Sequence, residues 1–540
     1  MTALPNRIST LNPVQTGLYW NGPRESLVFD EESIRESLLH GEQPCFFIKS
    51  ETGIGATNQG TLSTDVQGDK MIGYCPPLVP ESLGDSGFKS DHNTRYAYYT
   101  GSMAHGISSA EMVIALGKKG ILASFGAGGV LPAVLESTIA QIKSELAEGP
   151  YAFNLIHNPY IEALERASVE LYIKNDVTTV EASAYMELTP YVVHYRAAGL
   201  SEAEDGRIRI KNKIIAKISR REVAAKFMEP APEKLLAKLV EQGAITQDQA
   251  NMAKRVPMAD DITVEADSGG HTDNRPLVSL LPSLISLRNE IQEKNNYSKS
   301  IRIGAAGGIG TPEAALAAYM MGAAYIVTGS INQSCIEAGT SDQVRNVLSQ
   351  AQMADVIMAP AFDMFEMGGR LQVLKRGTLF AMRAQKLADY YRVCTCIDDI
   401  PADEKAKLEK QVFRKSIDDI WAGTVDYFNE RDPEQIKKAE ANPKKKMALI
   451  FRWYMGLASH WANAGEKGRE MDYQIWCGPS MGAFNDWVRG SFLEKTENRR
   501  VATIALNIMK GAAYLNRLQQ LKLAGLSFPV EFEQFVPIEM

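Results

Sequence analysis

Cysteine is scarce in this 540-residue chain, with six in all: Cys45, Cys75, Cys335, Cys394, Cys396 and Cys477. They are too few and too scattered for a disulfide framework or a zinc site, and no His/Cys/carboxylate cluster has metal-ligand spacing. Long apolar runs are also missing. The best candidate, Gly120 to Leu135, holds four glycines and a proline, so no segment reads as a membrane span. The opening MTALPNRIST lacks the apolar core of a signal peptide. Charge of one sign is lacking too: 58 Lys+Arg stand against 65 Asp+Glu, a net charge of −7 that gives no reason to expect nucleic acid or an anionic membrane as partner. Gly (42) and Pro (24) sit near average usage, which excludes collagen-like and low-complexity chains. With 45% hydrophobic residues, the chain reads as a globular, cytoplasmic protein.

The length would hold about three or four average domains, although one α/β barrel takes up about 250 residues. Residues 1–95 carry turn clusters (Asn21-Gly22-Pro23, Gly53-Ile54-Gly55, Cys75-Pro76-Pro77) between β-like runs such as Cys45 to Ile48, and read as a small β-containing subdomain. From Tyr96 the texture changes to short apolar runs alternating with segments of helical period. The expected strands are 98–103, 121–124, 153–156, 178–182, 214–219, 262–266, 301–305 and 325–329. Expected helices include 108–119, 132–146, 161–175, 276–293 and 311–321, the last with Thr311 as N-cap and Pro312 at the first helical position. Runs that are apolar on both faces suit parallel strands covered by helices. Eight strand–helix pairs over residues 96–345 make an α/β fold of (β/α)₈ TIM-barrel type, with a doubly wound sheet as the competitor that periodicity does not separate. Residues 220–258 exceed one crossover and read as a helical insertion.

Residues 346–540 show no further strand–helix alternation and read as a helical C-terminal region. Leu449, Ile450, Trp453, Tyr454, Leu457 and Trp461 share one helical face, and the stripe Val501, Ile504, Ile508, Leu515, Leu518 ends before Gly525.

In such a barrel, ligands bind at the carboxyl ends of the strands. Gly307 and Gly308 follow the seventh strand, Gly329 and Ser330 the eighth. Backbone N–H groups at glycines approach an anion closely, and two clusters at these strand ends point to a phosphate-bearing ligand. After the sixth strand, Glu265-Ala266-Asp267-Ser268-Gly269-Gly270-His271 places a histidine at the mouth behind an acidic Gly-Gly turn. Lys217 is a cation near the end of an apolar strand, either snorkelling to the mouth or aimed at an electron-rich ligand group. Asn154 is polar within an apolar run and needs a partner. His157 is ambiguous between site and support, and Met103 ends the first strand beside small residues, leaving room for a flat ligand. No cysteine follows the sixth strand, where a nucleotide-oxidising dehydrogenase barrel needs its nucleophile. No convincing G-x-G-x-x-G marks a Rossmann domain.

Gly101–Gly106, Phe153–Ile156, Ile214–Ser219, Asp267–His271, Ala305–Gly308 and Thr328–Ser330 together resemble the nitronate monooxygenase and enoyl-reductase superfamily of FMN-binding TIM barrels. Beyond the barrel, Thr328–Gln333, Asp363–Gly368, Leu371–Thr378 and Gln474–Pro479 are similar to the PfaD family of trans-acting enoyl reductases of polyunsaturated fatty acid and polyketide synthases. The resemblance implies FMN as cofactor, with Gly307, Gly308, Gly329 and Ser330 at its phosphate and Asn154 and Lys217 at the ring edge. Met103 and Ala104 would pack near the ring, with Asp267, Gly269 and Gly270 completing the cofactor set. It further implies NADPH or NADH as reductant and an enoyl thioester carried by an acyl carrier protein as substrate. His271 then corresponds to the histidine of the Gly-Gly-His turn, and it, or a water it holds, supplies the proton. For the helical tail the openings are a cover on the acyl channel, a homodimer contact, a carrier dock, or simple packing on the barrel. The rivals are a nitronate oxidase on the same scaffold and a non-catalytic scaffold within a synthase.

Overall fold

The computed structural model describes residues 7–10, 17–64, 68–147, 149–157 and 162–540. Its centre is a closed barrel of eight parallel strands: Tyr98–Thr100, Leu122–Phe125, Ala152–Ile156, Thr179–Ser183, Lys213–Ile218, Asp261–Glu265, Arg302–Ala306 and Ile326–Thr328. Closure comes from the eighth strand pairing with the first, Ile326 opposite Tyr98. All eight expected strands are present, each within a few residues of its expected limits. The doubly wound alternative is excluded by that closure.

Helices follow the strands where the capping chemistry places them. Thr311 accepts from the Ala314 N–H ahead of Pro312, and Ser109 and Thr189 do the same for Met112 and Val192. The third helix is described from Glu162–Lys174; its expected first residue, Ile161, lies outside the described residues. Between the fifth and sixth strands stand three helices, Arg221–Met228, Glu233–Glu241 and Gln247–Ala253, as the length of that crossover requires. A small hairpin, Leu200–Glu202 with Ile208–Ile210, is an addition that the pattern does not announce.

The N-terminal region is a five-stranded antiparallel sheet seated on the C-terminal helix Val501–Leu523. Arg517 of that helix, buried, donates to the carbonyls of Leu38, His40 and Gln43, so the two ends of the chain form one packed unit.

The C-terminal region is mostly helical but departs from expectation in two ways. Val356–Pro360 and Arg370–Leu374 form an antiparallel hairpin where no strand is expected. Each strand has only five residues, and its outer partner, Gly270–His271, lies about a hundred residues earlier, so no local pattern announces the pairing. Helix Pro443–Ala464 buries Leu449, Ile450 and Tyr454 as expected, whereas Trp453, Leu457 and Trp461 are only half-buried. Met447, Ala448, Phe451, Met455 and Ala458 are buried instead. The helix packs on more than one side, and a single-stripe reading does not capture that. Among the described residues, no helix is long and apolar enough to cross a membrane.

Candidate active site

The floor of the barrel mouth is built from inward-facing residues of four strands. Asn154 is buried, and its Nδ2 donates to the Glu181 carbonyl at 3.1 Å and to Ser183 Oγ at 2.9 Å. Both amide hydrogens are thus used within the barrel wall, leaving Oδ1 as the group able to face a ligand. Lys217 Nζ lies 3.1 Å from Glu265 Oε1 and 4.0 Å from Glu181 Oε1. Burial alone pushes Lys217 down, but the two carboxylates outweigh it and leave the lysine above its ordinary value, a firm cation. Glu181 is fully buried and accepts from the Tyr99 hydroxyl and, at 3.0 and 2.6 Å, from Ser102 N–H and Oγ. Sequence reasoning misses Glu181; a carboxylate inside the apolar run Thr179–Ser183 is the available signal.

Above this floor lies the first strand's loop. The Met103 N–H donates to Ser108 Oγ at 3.0 Å, and the methyl of Ala104 packs on Gly128. His105 follows with φ of +60°, a conformation that non-glycine residues adopt rarely and at a cost. Its ring stacks on His460 and tilts against Trp476, centroids 4.4 and 5.3 Å away, so two C-terminal segments meet the barrel here. None of these three residues stands out as a site residue in the sequence.

The glycine clusters divide. At Gly308 (φ +77°) and at Gly329 a Cβ would meet nothing within 4 Å, which leaves an open cradle at the ends of the seventh and eighth strands, large enough for backbone groups to approach an anion. Gly307 differs in having no room: besides its φ of +85°, its Cβ would lie 2.7 Å from the Ala266 carbonyl carbon, so close packing on the sixth loop adds to the backbone demand for glycine. Ser330 Oγ accepts from the Gly478 N–H at 2.9 Å, and a Cβ at Gly310 would lie 2.6 Å from the Ser480 carbonyl oxygen. The segment 476–480 therefore lies directly against both glycine loops.

The sixth loop is held by the unexpected hairpin. Gln372 Nε2 donates to Asp267 Oδ1 at 2.7 Å and to the Ser268 carbonyl at 2.8 Å, and Asn274 Nδ2 adds a bond to Asp267 Oδ1. Asp267 is thereby a fastener of the turn. A Cβ on Gly269 would lie 2.8 Å from the Cys477 nitrogen, so this glycine admits the C-terminal segment. Gly270 (φ +79°) makes the turn, and Trp476 lies over it. His271 pairs with Leu371 across the sheet, and its Nε2 is 2.9 Å from Asp363 Oδ1. Burial pushes the Asp363 carboxyl up, but the hydrogen bond and charge of His271 reverse this and hold it below the ordinary range. His157 is drawn outward to buried Glu165, 2.9 Å away, and stacks on Tyr185, which gives it a supporting role. Among the described residues no group of His, Cys, Asp or Glu is placed to hold a metal ion.

Chemically, this mouth offers an open anion cradle, a cation flanked by two carboxylates, and an oriented histidine. The open backbone at Gly308 and Gly329 and the cation at Lys217 are chemically compatible with a phosphate-bearing ligand that has an electron-rich edge.

Comparison with known proteins agrees with this architecture. The nitronate monooxygenase profile matches residues 89–411, and that of the fatty acid synthase subunit PfaD N-terminal domain matches residues 20–71. Residues 394–473 match the profile of the acyl-carrier-protein S-malonyltransferase inserted helical domain. A polyunsaturated fatty acid synthase subunit of Thraustochytrium sp. is 48% identical over 93% of this chain, and the polyketide biosynthesis protein PksE of Bacillus subtilis 47% identical over 81%. The chain spans only 34% and 57% of the lengths of these two relatives. Among solved structures, the enoyl reductase domain of MlnA, from the macrolactin biosynthesis cluster of Bacillus amyloliquefaciens, superposes with a TM-score of 0.79 at 41% identity, covering 82% of this chain and 99% of that one.

Proposed function

Because the chain belongs to the nitronate monooxygenase family, in the branch that carries the PfaD N-terminal domain, we propose that it is an FMN-dependent enoyl reductase serving a polyunsaturated fatty acid or polyketide synthase. The observation that carries this reading is the His271–Asp363 pair, 2.9 Å apart, on the turn that follows the sixth strand, whose last residue, Glu265, pairs with Lys217. FMN held there and reduced by NADPH or NADH would supply the hydride for the β-carbon of a trans-2-enoyl thioester.

The protein's own residues supply position, charge and a proton. Gly308 and Gly329 leave room for the phosphate, and Gly307 and Ser330 shape the loops that carry them. Lys217 would meet the electron-rich edge of the flavin and stabilise negative charge there, and Asn154 Oδ1 would accept from it. Met103 and Ala104, on the loop after the first strand, would pack near the ring. Asp267, Gly269 and Gly270 hold the turn that presents His271. Asp363 accepts from Nε2–H of that ring, so in the protonated imidazolium Nδ1–H is the group left to give the α-carbon its proton, the ring returning to the neutral form. An acyl carrier protein delivers the thioester, a reading that the match of residues 394–473 supports.

The test is an anaerobic absorbance titration of the purified full chain. Flavin bands that bleach with NADPH and return with a crotonyl thioester are expected, and His271→Ala should slow only the second step. A flavin reoxidised by O₂ and indifferent to the thioester would favour a nitronate-type oxidase. A colourless protein that takes up no FMN would leave a non-catalytic scaffold within a synthase.

A further inference from the structure

Lys217 brings a positive charge to the floor of the mouth, and it is outnumbered. Glu265 stands 3.1 Å from it and Glu181 4.0 Å, on the neighbouring sixth and fourth strands. Glu181 is not a surface acid that swings away. It is buried, fixed by the Tyr99 hydroxyl and by two bonds from Ser102, and its backbone carbonyl is held by Asn154. Glu265 is restrained by the Ser268 hydroxyl at 3.3 Å. Two more acids, Asp267 and Asp363, line the turn that carries His271. Charges a few ångströms apart in a partly enclosed site act strongly, and an excess of one sign repels ligands of that sign.

We propose that Glu181 and Glu265 are specificity-determining residues: together they outnumber Lys217 and turn the mouth against free anionic substrates, nitronates and carboxylates among them, in favour of the neutral thioester class. The inference rests on the reading above that Lys217 faces a bound flavin, and goes beyond it in naming what the site rejects. It also separates two chemistries on one scaffold, since a nitronate is an anion and an enoyl thioester is not. Through Ser102, Glu181 in addition sets the entry of the Met103–Ala104 loop.

The experiment uses the FMN-loaded full chain and two probes: sulfite, an anion whose sulfur lone pair bonds reversibly to flavin N5 while the electron pair moves into the N1–C2 carbonyl region, and the neutral crotonyl thioester of N-acetylcysteamine. Affinity for each is read from the flavin spectrum. Glu265→Gln and Glu181→Gln keep the side-chain shape and remove one charge each. The expected result is a ratio of sulfite to thioester affinity at least about tenfold higher in either variant than in the parent. Unchanged ratios in variants that hold FMN would overturn the proposal. If Glu181→Gln does not fold, Glu265→Gln at the more exposed site decides the matter alone. A parent protein that takes up no FMN would instead overturn the functional reading on which this rests.

Discussion

The imidazole of His105 lies flat on that of His460, ring centroids 4.4 Å apart and planes within 9°. One ring belongs to the loop after the first barrel strand, the other to helix Pro443–Ala464, so the contact joins barrel and C-terminal region at the mouth. Trp476 closes the cluster, and Ser459 Oγ lies 3.4 Å from His105 Nδ1.

This stack makes the protein acid-sensitive. Burial, helped by the neighbouring His460, lowers His105 to about 4, against about 6.5 in an unfolded chain. The folded state therefore binds fewer protons between those values. Stability from this group is complete above pH 6.5 and declines as the pH falls towards 4, by up to about 3 kcal/mol. Urea unfolding at pH 7 and pH 5 should show a smaller loss in His105→Asn, which tolerates the positive φ and does not titrate.

At the opposite, amino-terminal end of the barrel, Asp261 is fully buried between Arg302 (2.6 and 3.0 Å) and His92 (2.7 Å). Burial pushes its carboxyl up, yet Arg302 and His92 outweigh it and hold it at about 2. Its contribution is present above pH 3.8 and lost as the pH falls through 2. Asp261→Asn leaves buried Arg302 with Asp91 as its remaining carboxylate and should cost about 3 kcal/mol in a denaturant titration. FMN affinity of the folded fraction should not change, because this network lies away from the mouth.

The glycines of the seventh loop should respond in different ways. Gly308→Ala adds a methyl into open space at φ +77°, costing about 1 kcal/mol of stability but weakening FMN binding more than tenfold. Gly310→Ala drives a methyl against the Ser480 carbonyl and should lower the melting temperature first, with FMN loss following from the displaced segment. Flavin fluorescence quenching alongside thermal unfolding separates the two.

The eight barrel strands are legible because parallel strands covered on both faces read as short apolar runs, and Thr311-Pro312 announces its helix by local capping alone. Gly308 and Gly329 are legible as an open cradle for the same local reason. Gly269 is not legible in that sense: it is glycine because the Cys477 backbone comes closer than van der Waals contact to where a Cβ would be, and at Gly307 (φ +85°) the Ala266 backbone adds the same constraint. The hairpin 356–374 escapes because its pairing with Gly270–His271 is long-range, and with it escape Gln372 and Asp363.

What the amino-acid sequence determined by itself is what periodicity, capping and glycine spacing dictate over short distances: the barrel, the candidate cradle, and a histidine on the sixth loop. Which groups surround that histidine and the lysine was decided only by tertiary structure. Glu181 reaches Lys217 across adjacent strands, Asp363 reaches His271 from 92 residues away, and His460 reaches His105 from helix Pro443–Ala464. Charge and hydrogen bonding act through space over a few ångströms, so closure of the barrel and folding of the C-terminal region over it set the electrostatics of the site.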